Sequence, residues 1–309
     1  MKMKLPTTRR SLAGCSAMIL WLASNAPAQN LFVANGGNND IIEITSDGSE
    51  SAFATGLDQP NALAFDNAGD MFEADYNDGD IYEFANNGGT LNSTPTLFAS
   101  GLDDPLALAF NAAGNLFVSS HANDSIVEIT PGGVKSAFTS DLKSPYRMAF
   151  NQAGDLFVAG DDSGNIYEFV DDEGTLSSSP TVFASGLTDP RGLAFNSAGD
   201  LFEADYESGK ILEFTSGGVE NTFASGLDYP FGLAFDSAGD LFVESGNTTD
   251  DDSIIEITSD QTERTIASGL DPAGMAFEGL TLPVPEPPIM GLLAAGALGL
   301  MARRRALRR

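Results

Sequence analysis

From residue 31 to residue 282 the chain alternates short apolar runs with turns of Gly, Asp and Asn, and no stretch holds the 3.6-residue period of an amphipathic helix. The segment GLDQPNALAFDNAGDMFEADYNDGDIYEF recurs with small changes. Its proline falls at Pro60, Pro105, Pro145, Pro190, Pro230 and Pro272, at intervals of 45, 40, 45, 40 and 42 residues. A phenylalanine follows in step at Phe65, Phe110, Phe150, Phe195, Phe235 and Phe277. Each copy reads as four strands. Strand a is the GLAF run, and Asp/Asn-x-Ala-Gly-Asp/Asn then makes a tight turn whose Gly takes positive φ. Strand b is LFVA; a polar loop leads to strand c, as at residues 211–214, and a Gly-containing turn leads to strand d. Four short strands in 40–45 residues, repeated, is the arithmetic of a propeller blade.

The copies close on themselves. The LF pair of strand b occurs at Phe32, Phe72, Phe117, Phe157, Phe202 and Phe242, yet the first has no strand a before it and the last strand a, residues 274–277, has no strand b after it. Joining that C-terminal strand a to strands b, c and d in residues 31–57 completes a sixth blade and removes exposed sheet edges. The expectation is an all-β, six-bladed β-propeller of four antiparallel strands per blade over residues 29–282. The 45-residue copies carry longer c–d hairpins, ANNGGTLNSTPT and VDDEGTLSSSPT. These fall with the a–b turns on one face of the ring; the d–a and b–c loops fall on the other.

The two ends read as addresses. Residues 1–28 have a cationic start closing on Arg9-Arg10, an apolar stretch over residues 12–23 and Ala26-Pro27-Ala28 as a small-x-small cleavage site, so the mature chain is expected to begin at Gln29. Sec export is the reading, although Thr8-Arg9-Arg10-Ser11-Leu12 also resembles a twin-arginine signal and Leu12-Ala13-Gly14-Cys15 a lipoprotein box. Residues 283–309 carry Pro285, Glu286 and Pro287, an apolar run over residues 289–302 and an arginine cluster over residues 303–309. The run is 14 residues, about 21 Å of helix, which is short for a membrane span. This order resembles the PEP-CTERM sorting signal of exopolysaccharide-producing Gram-negative bacteria. The resemblance implies recognition by an exosortase, cleavage near the motif, and contact with the membrane only through this segment before processing. An ordinary tail anchor needs the same apolar and positive elements, and only the Pro-Glu-Pro separates the two.

Charge narrows the partners. Against 15 Lys and Arg the chain has 44 Asp and Glu, and residues 31–282 keep six cations and 43 acids, a net of −37. Such a surface repels phosphate backbones, which excludes nucleic acid. Cys15 and His121 are the only residues of their kinds, so disulfide frameworks, thiolate metal sites and two-histidine metal motifs are excluded as well.

The pattern P-x-G-L-A-F-D, G-x-L-F-V-A-D and G-x-I-x-E resembles the NHL-repeat and gluconolactonase-like six-bladed propellers and, more distantly, the virginiamycin B lyase propeller. The resemblance implies ligand binding where the d–a and b–c loops surround the channel. Residues just after each proline then stand at the mouth: Asn61, Leu106, Tyr146 with Arg147, Arg191, Phe231 and Ala273. Gluconolactonase-like enzymes are expected to hold a divalent ion there with an Asp after this proline, and no copy has one. The lyase comparison leaves His121 as the one candidate base, without an identifiable partner. Two further sets stand out. Glu73 with Asp75, and Glu203 with Asp205, share strand faces in opposite blades and are candidate ligands for Ca²⁺ or another divalent cation; a solvated acidic rim is the plainer reading. Arg147 and Arg191, beside Tyr146 and Phe231, are candidates for an anionic ligand such as an acidic sugar, unless they neutralise neighbouring carboxylates. The Glu on every strand c (Glu43, Glu83, Glu128, Glu168, Glu213, Glu256) reads as structural because it recurs in each blade. The expected function is a non-enzymatic binding or scaffold module at the cell surface or in the extracellular matrix, with exopolysaccharide or envelope components as partners. The alternative is a divalent-cation-dependent hydrolase or lyase.

Overall fold

The computed structural model describes residues 29–140, 142–246 and 252–279; the export signal and the motif residues Pro285, Glu286 and Pro287 lie outside them. Six four-stranded antiparallel sheets form the blades. In order of strands a to d, blade 1 is Pro60–Phe65, Met71–Asp75, Asp80–Phe84 and Thr96–Ala99. Blade 2 is Pro105–Phe110, Leu116–Ser120, Ser125–Ile129 and Lys135–Thr139. Blade 3 is Pro145–Phe150, Leu156–Gly160, Asn165–Phe169 and Thr181–Ser185. Blade 4 is Pro190–Phe195, Leu201–Asp205, Lys210–Phe214 and Glu220–Ser225, and blade 5 is Pro230–Phe235, Leu241–Ser245, Ser253–Ile257 and Glu263–Ser268. Blade 6 joins the ends: Pro272–Phe277 pairs with Leu31–Asn35, which pairs with Asp40–Ile44 and then Glu50–Thr55. The long hairpin of blade 3 carries an added two-residue ladder, Asp171–Asp172 against Thr175–Leu176, and that of blade 1 a single bridge, Asn86 to Leu91.

Alternation along strand b explains why every residue of it is buried. Successive side chains point to opposite faces of a blade, and both faces are covered by neighbouring blades. Phe72 and Ala74 of blade 1 therefore meet Leu116 and Val118 of blade 2, and the same contact recurs at each of six interblade cores. The phenylalanine of strand b is the hub. Phe72 lies 5.0 Å edge-to-face from Phe98 of its own strand d and 4.9 Å from Phe110 of the next strand a. Phe242 and Phe277 make the same contact at 4.7 Å between blade 5 and strand a of blade 6. Aromatic pairs of this geometry contribute roughly 0.5–1.5 kcal/mol each beyond their buried area, so the in-step phenylalanines hold wedge to wedge.

The a–b turns are built by one side chain. Asp66 Oδ1 accepts from the backbone N–H of Ala68 and Asp70 at 2.8 and 2.9 Å, and Gly69 takes φ of +84°. Asn111, Asn151, Asn196 and Asp236 repeat the device. The repeated strand-c glutamates are tied down beside these turns in two blades, with Asn30 donating to Glu43 and Asn115 to Glu128 at 2.7 Å.

Every strand a has a β-bulge at its start. Pro60 pairs with Asp75 and Ala62 with Ala74, which leaves Asn61 outside the ladder. Leu106, Arg191, Phe231 and Ala273 are displaced in the same way, and in blade 3 the irregularity spans Tyr146 and Arg147. A bulge frees backbone groups and re-aims the side chain; here it does so six times around one axis.

Candidate functional site: the tyrosine-lined mouth of the channel

Arg147 enters the axis itself. In the other blades its position is held by Ala62, Ala107, Gly192, Gly232 and Gly274, and the space they leave admits one long side chain. Its guanidinium donates to the carbonyls of Leu106 (2.9 Å), Asn61 (3.3 Å from either terminal nitrogen) and Ala273, all bulge residues of blades 2, 1 and 6. The bulges supply acceptors that the ladder does not use, and the planar fork reaches several at once. Arg147 is thus a staple across half the ring, its guanidinium 5.8 Å from the centroid of the Tyr146 ring with which sequence reasoning grouped it.

Across a small axial cavity of about 160 Å³ from Arg147 stands Glu244. It is fully buried, and neither carboxylate oxygen has a hydrogen-bond partner among the described residues. The carboxylate lies over Gly232, where an added Cβ would clash with Oε2. Burial pushes its pKa up to about 7 despite the opposing pull of Arg147. Sequence reasoning passed over Glu244; the signal was a charge where the other strands b have Ala34, Ala74, Ser119, Ala159 and Ala204.

Arg191 sits at the mouth, and its fork is taken. Nε and one terminal nitrogen donate to the two oxygens of Asp189 at 3.1 and 3.0 Å, and Asp161 lies 3.9 Å away. The guanidinium carbon stacks 3.5 Å from the centroid of Tyr206 and 5.2 Å from that of Tyr146. Tyr229 packs against Tyr206 at 4.9 Å, is 38% exposed, and is held at φ of +46°. A bulky residue in that region carries backbone strain, which persists where surrounding structure fixes it, often at binding sites. Burial, followed by the hydrogen bond that the protonated carboxyl donates to the neighbouring Asp189 carboxylate, raises Asp161 to about 7. Tyr76, its pKa raised by burial and then by the nearby Asp104 carboxylate, continues the aromatic arc toward blade 1. Four of the chain's six tyrosines thus stand on this face. Asp161, Asp189, Tyr206 and Tyr229 were not singled out from the sequence. Asp189 and Tyr229 immediately precede strand-a prolines, and Asp161 and Tyr206 open b–c loops, so their loop positions were the available signal. Phe231 and Asn61 hold the equivalent bulges of blades 5 and 1; the side-chain oxygen of Asn61 is buried without a partner.

The acidic pairs stay apart. Glu73 and Glu203 are wholly buried between blades without hydrogen-bond partners, and burial drives both pKa values well above the usual carboxylate range. Asp75 and Asp205 clamp the d–a loops, accepting from the backbone N–H of Asp58 (2.8 Å) and Thr188 (2.9 Å). Asp205 spends its other oxygen on Ser208, whereas that of Asp75 is buried without a partner. Calcium asks for six to eight converging oxygens, and the described residues contain no group of three or more Asp, Glu, His or Cys arranged to hold a metal. The donor sets of these pairs do not fit Ca²⁺. His121 opens the b–c loop of blade 2, its backbone N–H donating to Asp104, with no side-chain partner among the described residues.

Residues 283–305 match the PEP-CTERM protein-sorting motif. The chain is a six-bladed β-propeller with a PEP-CTERM tail. That motif implies processing by an exosortase and suggests export and anchoring at the cell surface. Among curated proteins none matches the chain in sequence. Among solved structures, the nidogen/laminin complex contains a chain that is 18% identical with a TM-score of 0.68, over 81% of this chain and 98% of that one. Virginiamycin B lyase from Staphylococcus aureus is 13% identical with a TM-score of 0.61, over 81% and 87%. A gluconolactonase from Xanthomonas campestris is 18% identical with a TM-score of 0.59, over 70% and 79%. Identities this low establish the propeller fold. They leave the function to the site.

Proposed function

We propose that this PEP-CTERM propeller is a non-enzymatic binding module of the cell surface or extracellular matrix, and that it holds a neutral stretch of polysaccharide at the tyrosine-lined mouth. The observation that carries the reading is the stack of Tyr146, Arg191, Tyr206 and Tyr229 beside the paired Asp189 and Asp161. A pyranose ring offers an apolar C–H face and a girdle of hydroxyls. Tyrosine ring faces suit the first, and carboxylates that accept hydrogen bonds suit the second. The stack is stiff: Arg191 is fixed by two hydrogen bonds and Tyr206 rests on it, so little ordering remains to be done on binding.

Charge argues for a neutral rather than an acidic sugar. Both arginines that sequence reasoning offered to an anion are occupied, Arg147 by carbonyls and Arg191 by Asp189. Exposed Asp58, Asp78, Asp103, Asp124, Asp162 and Asp228 lie on the same set of loops and repel polyanions. Affinity electrophoresis tests the reading. Mobility of the chain 29–279 should fall in gels containing a neutral polysaccharide such as a glucan or mannan and stay unchanged with alginate. Tyr206→Ala combined with Tyr229→Ala should restore free mobility without lowering the unfolding temperature. Retardation by alginate that survives the double substitution would reject it.

A further inference from the structure

The opposite mouth of the channel, on the face of the a–b turns, is a funnel of about 600 Å³. Its wall is Phe65, Phe150, Phe195, Phe235 and Phe277, the last residues of five strands a. Phe65, Phe195 and Phe235 keep part of their surface uncovered. The rim is polar, with Gln152 and Ser197 among its turn residues. An apolar concavity with a polar rim is the ordinary make-up of a binding site.

Both ends of the ring leave the fold here. The side-chain amide of Gln29 donates to the carbonyl of Glu278 at 2.6 Å and accepts from the backbone N–H of Ser237, a rim residue, at 2.9 Å. The backbone N–H of Glu278 donates to the carbonyl of Asn30 at 3.1 Å. The described chain stops at Gly279, two residues beyond Phe277 of the wall. The next five residues are Leu280-Thr281-Leu282-Pro283-Val284, directly before Pro285, Glu286 and Pro287. Leu280, Leu282 and Val284 alternate, and residues two apart in an extended segment share one side. Pro283 and Pro285 bias Leu282 and Val284 toward extended conformation. Five extended residues reach about 17 Å.

The geometry points to residues 280–284 of the same chain as the occupant of the phenylalanine funnel, with Leu280, Leu282 and Val284 facing the rings. The tether begins at the wall, so the local concentration of this segment exceeds that of any second copy. Docking sets the Pro285-Glu286-Pro287 motif at the rim of the propeller instead of on a free linker. This inference is independent of the sugar site on the other face.

Disulfide trapping tests it, because Cys15 is the sole cysteine and lies outside residues 29–288. The ring closes within residues 29–279, so a chain of residues 29–288 retains every blade. Leu282→Cys is combined in turn with Gln152→Cys, Ser197→Cys and Ser237→Cys on the funnel rim, and with Tyr229→Cys on the opposite face as control. The expected result is an intramolecular disulfide with at least one rim position, forming at least tenfold faster than with the control. It should slow about tenfold when Leu280 and Val284 are both replaced by Asp, substitutions outside the folded ring. Equal rates at rim and control positions, rates indifferent to the aspartates, or a disulfide only between chains would each overturn the assignment.

Discussion

Replacing Glu244 with Gln isolates the most costly group on the axis. The carboxyl is fully buried, and burial lifts its pKa from 4.5 to about 7 with Arg147 pulling the other way. The folded chain therefore holds a proton that the unfolded chain releases between pH 4.5 and about 7. Stability must fall as pH rises through that window, and the loss is complete above it. A shift from 4.5 to about 7 corresponds to about 3 kcal/mol. Gln is neutral throughout, but its extra donor lacks a partner and costs about 1 kcal/mol. Glu244→Gln should thus cost up to about 1 kcal/mol at pH 4.5 and should stabilise the ring by about 2 kcal/mol at pH 8. Urea unfolding of chain 29–279 and its variant across pH 4.5–8 measures the difference. Glu73 and Glu203 are also raised, and the domain's negative charge weakens it in the same direction, but both effects are common to the two chains and cancel in the comparison. A stability difference that does not change with pH would refute the reasoning, as would a variant less stable at pH 8 than at pH 4.5 relative to its parent.

Arg147→Ala leaves the carbonyls of Asn61, Leu106 and Ala273 without their shared donor and should cost about 3–5 kcal/mol in denaturant unfolding. Arg147→Lys should recover only part of that, since an ammonium lacks the planar fork. In a double-mutant cycle, the cost of Arg147→Ala at pH 8 should be smaller in the Glu244→Gln background, because no ionised carboxylate is then stranded. Deleting residues 272–279 removes strand a of blade 6 and exposes the edge of Leu31–Asn35, so the truncated chain should aggregate or lose its cooperative unfolding transition, read by light scattering and calorimetry. Mass spectrometry of the exported protein should find an N-terminus at Gln29 and a C-terminus near Pro285-Glu286-Pro287; an intact tail through residue 309 would contradict exosortase processing.

The architecture was readable because it repeats. In-step prolines and phenylalanines gave the blade count, and the unmatched strand a at residues 274–277 gave the closure that Leu31↔Phe277 pairing displays. Repetition also hid the site. Aligning copies treats Arg147 and Glu244 as variants of small residues, when each matters because five neighbours yield it space. The bulge after each proline shifts register by one residue, so Tyr146 and Arg147, adjacent in sequence, take different tasks: the Tyr146 ring lines the mouth, while the Arg147 guanidinium, 5.8 Å from that ring's centroid, turns to the carbonyls around the axis. The partners of Arg191 were invisible for another reason. Asp189 and Tyr206 come from loops whose approach is set by the ring, a long-range property that local pattern does not encode. Glu73 and Glu203 looked like rim charges because their acidity was legible and their burial was not.

The most direct measurement uses the protein's own chromophores. Trp21 is the one tryptophan and lies outside chain 29–279, so emission comes from tyrosines, four of six at the proposed sugar site. Titration with a neutral oligosaccharide should give a saturable change in that emission, lost in the chain with Tyr206→Ala and Tyr229→Ala. A flat titration with neutral glycans, alongside a saturable response to an acidic one, would contradict the account.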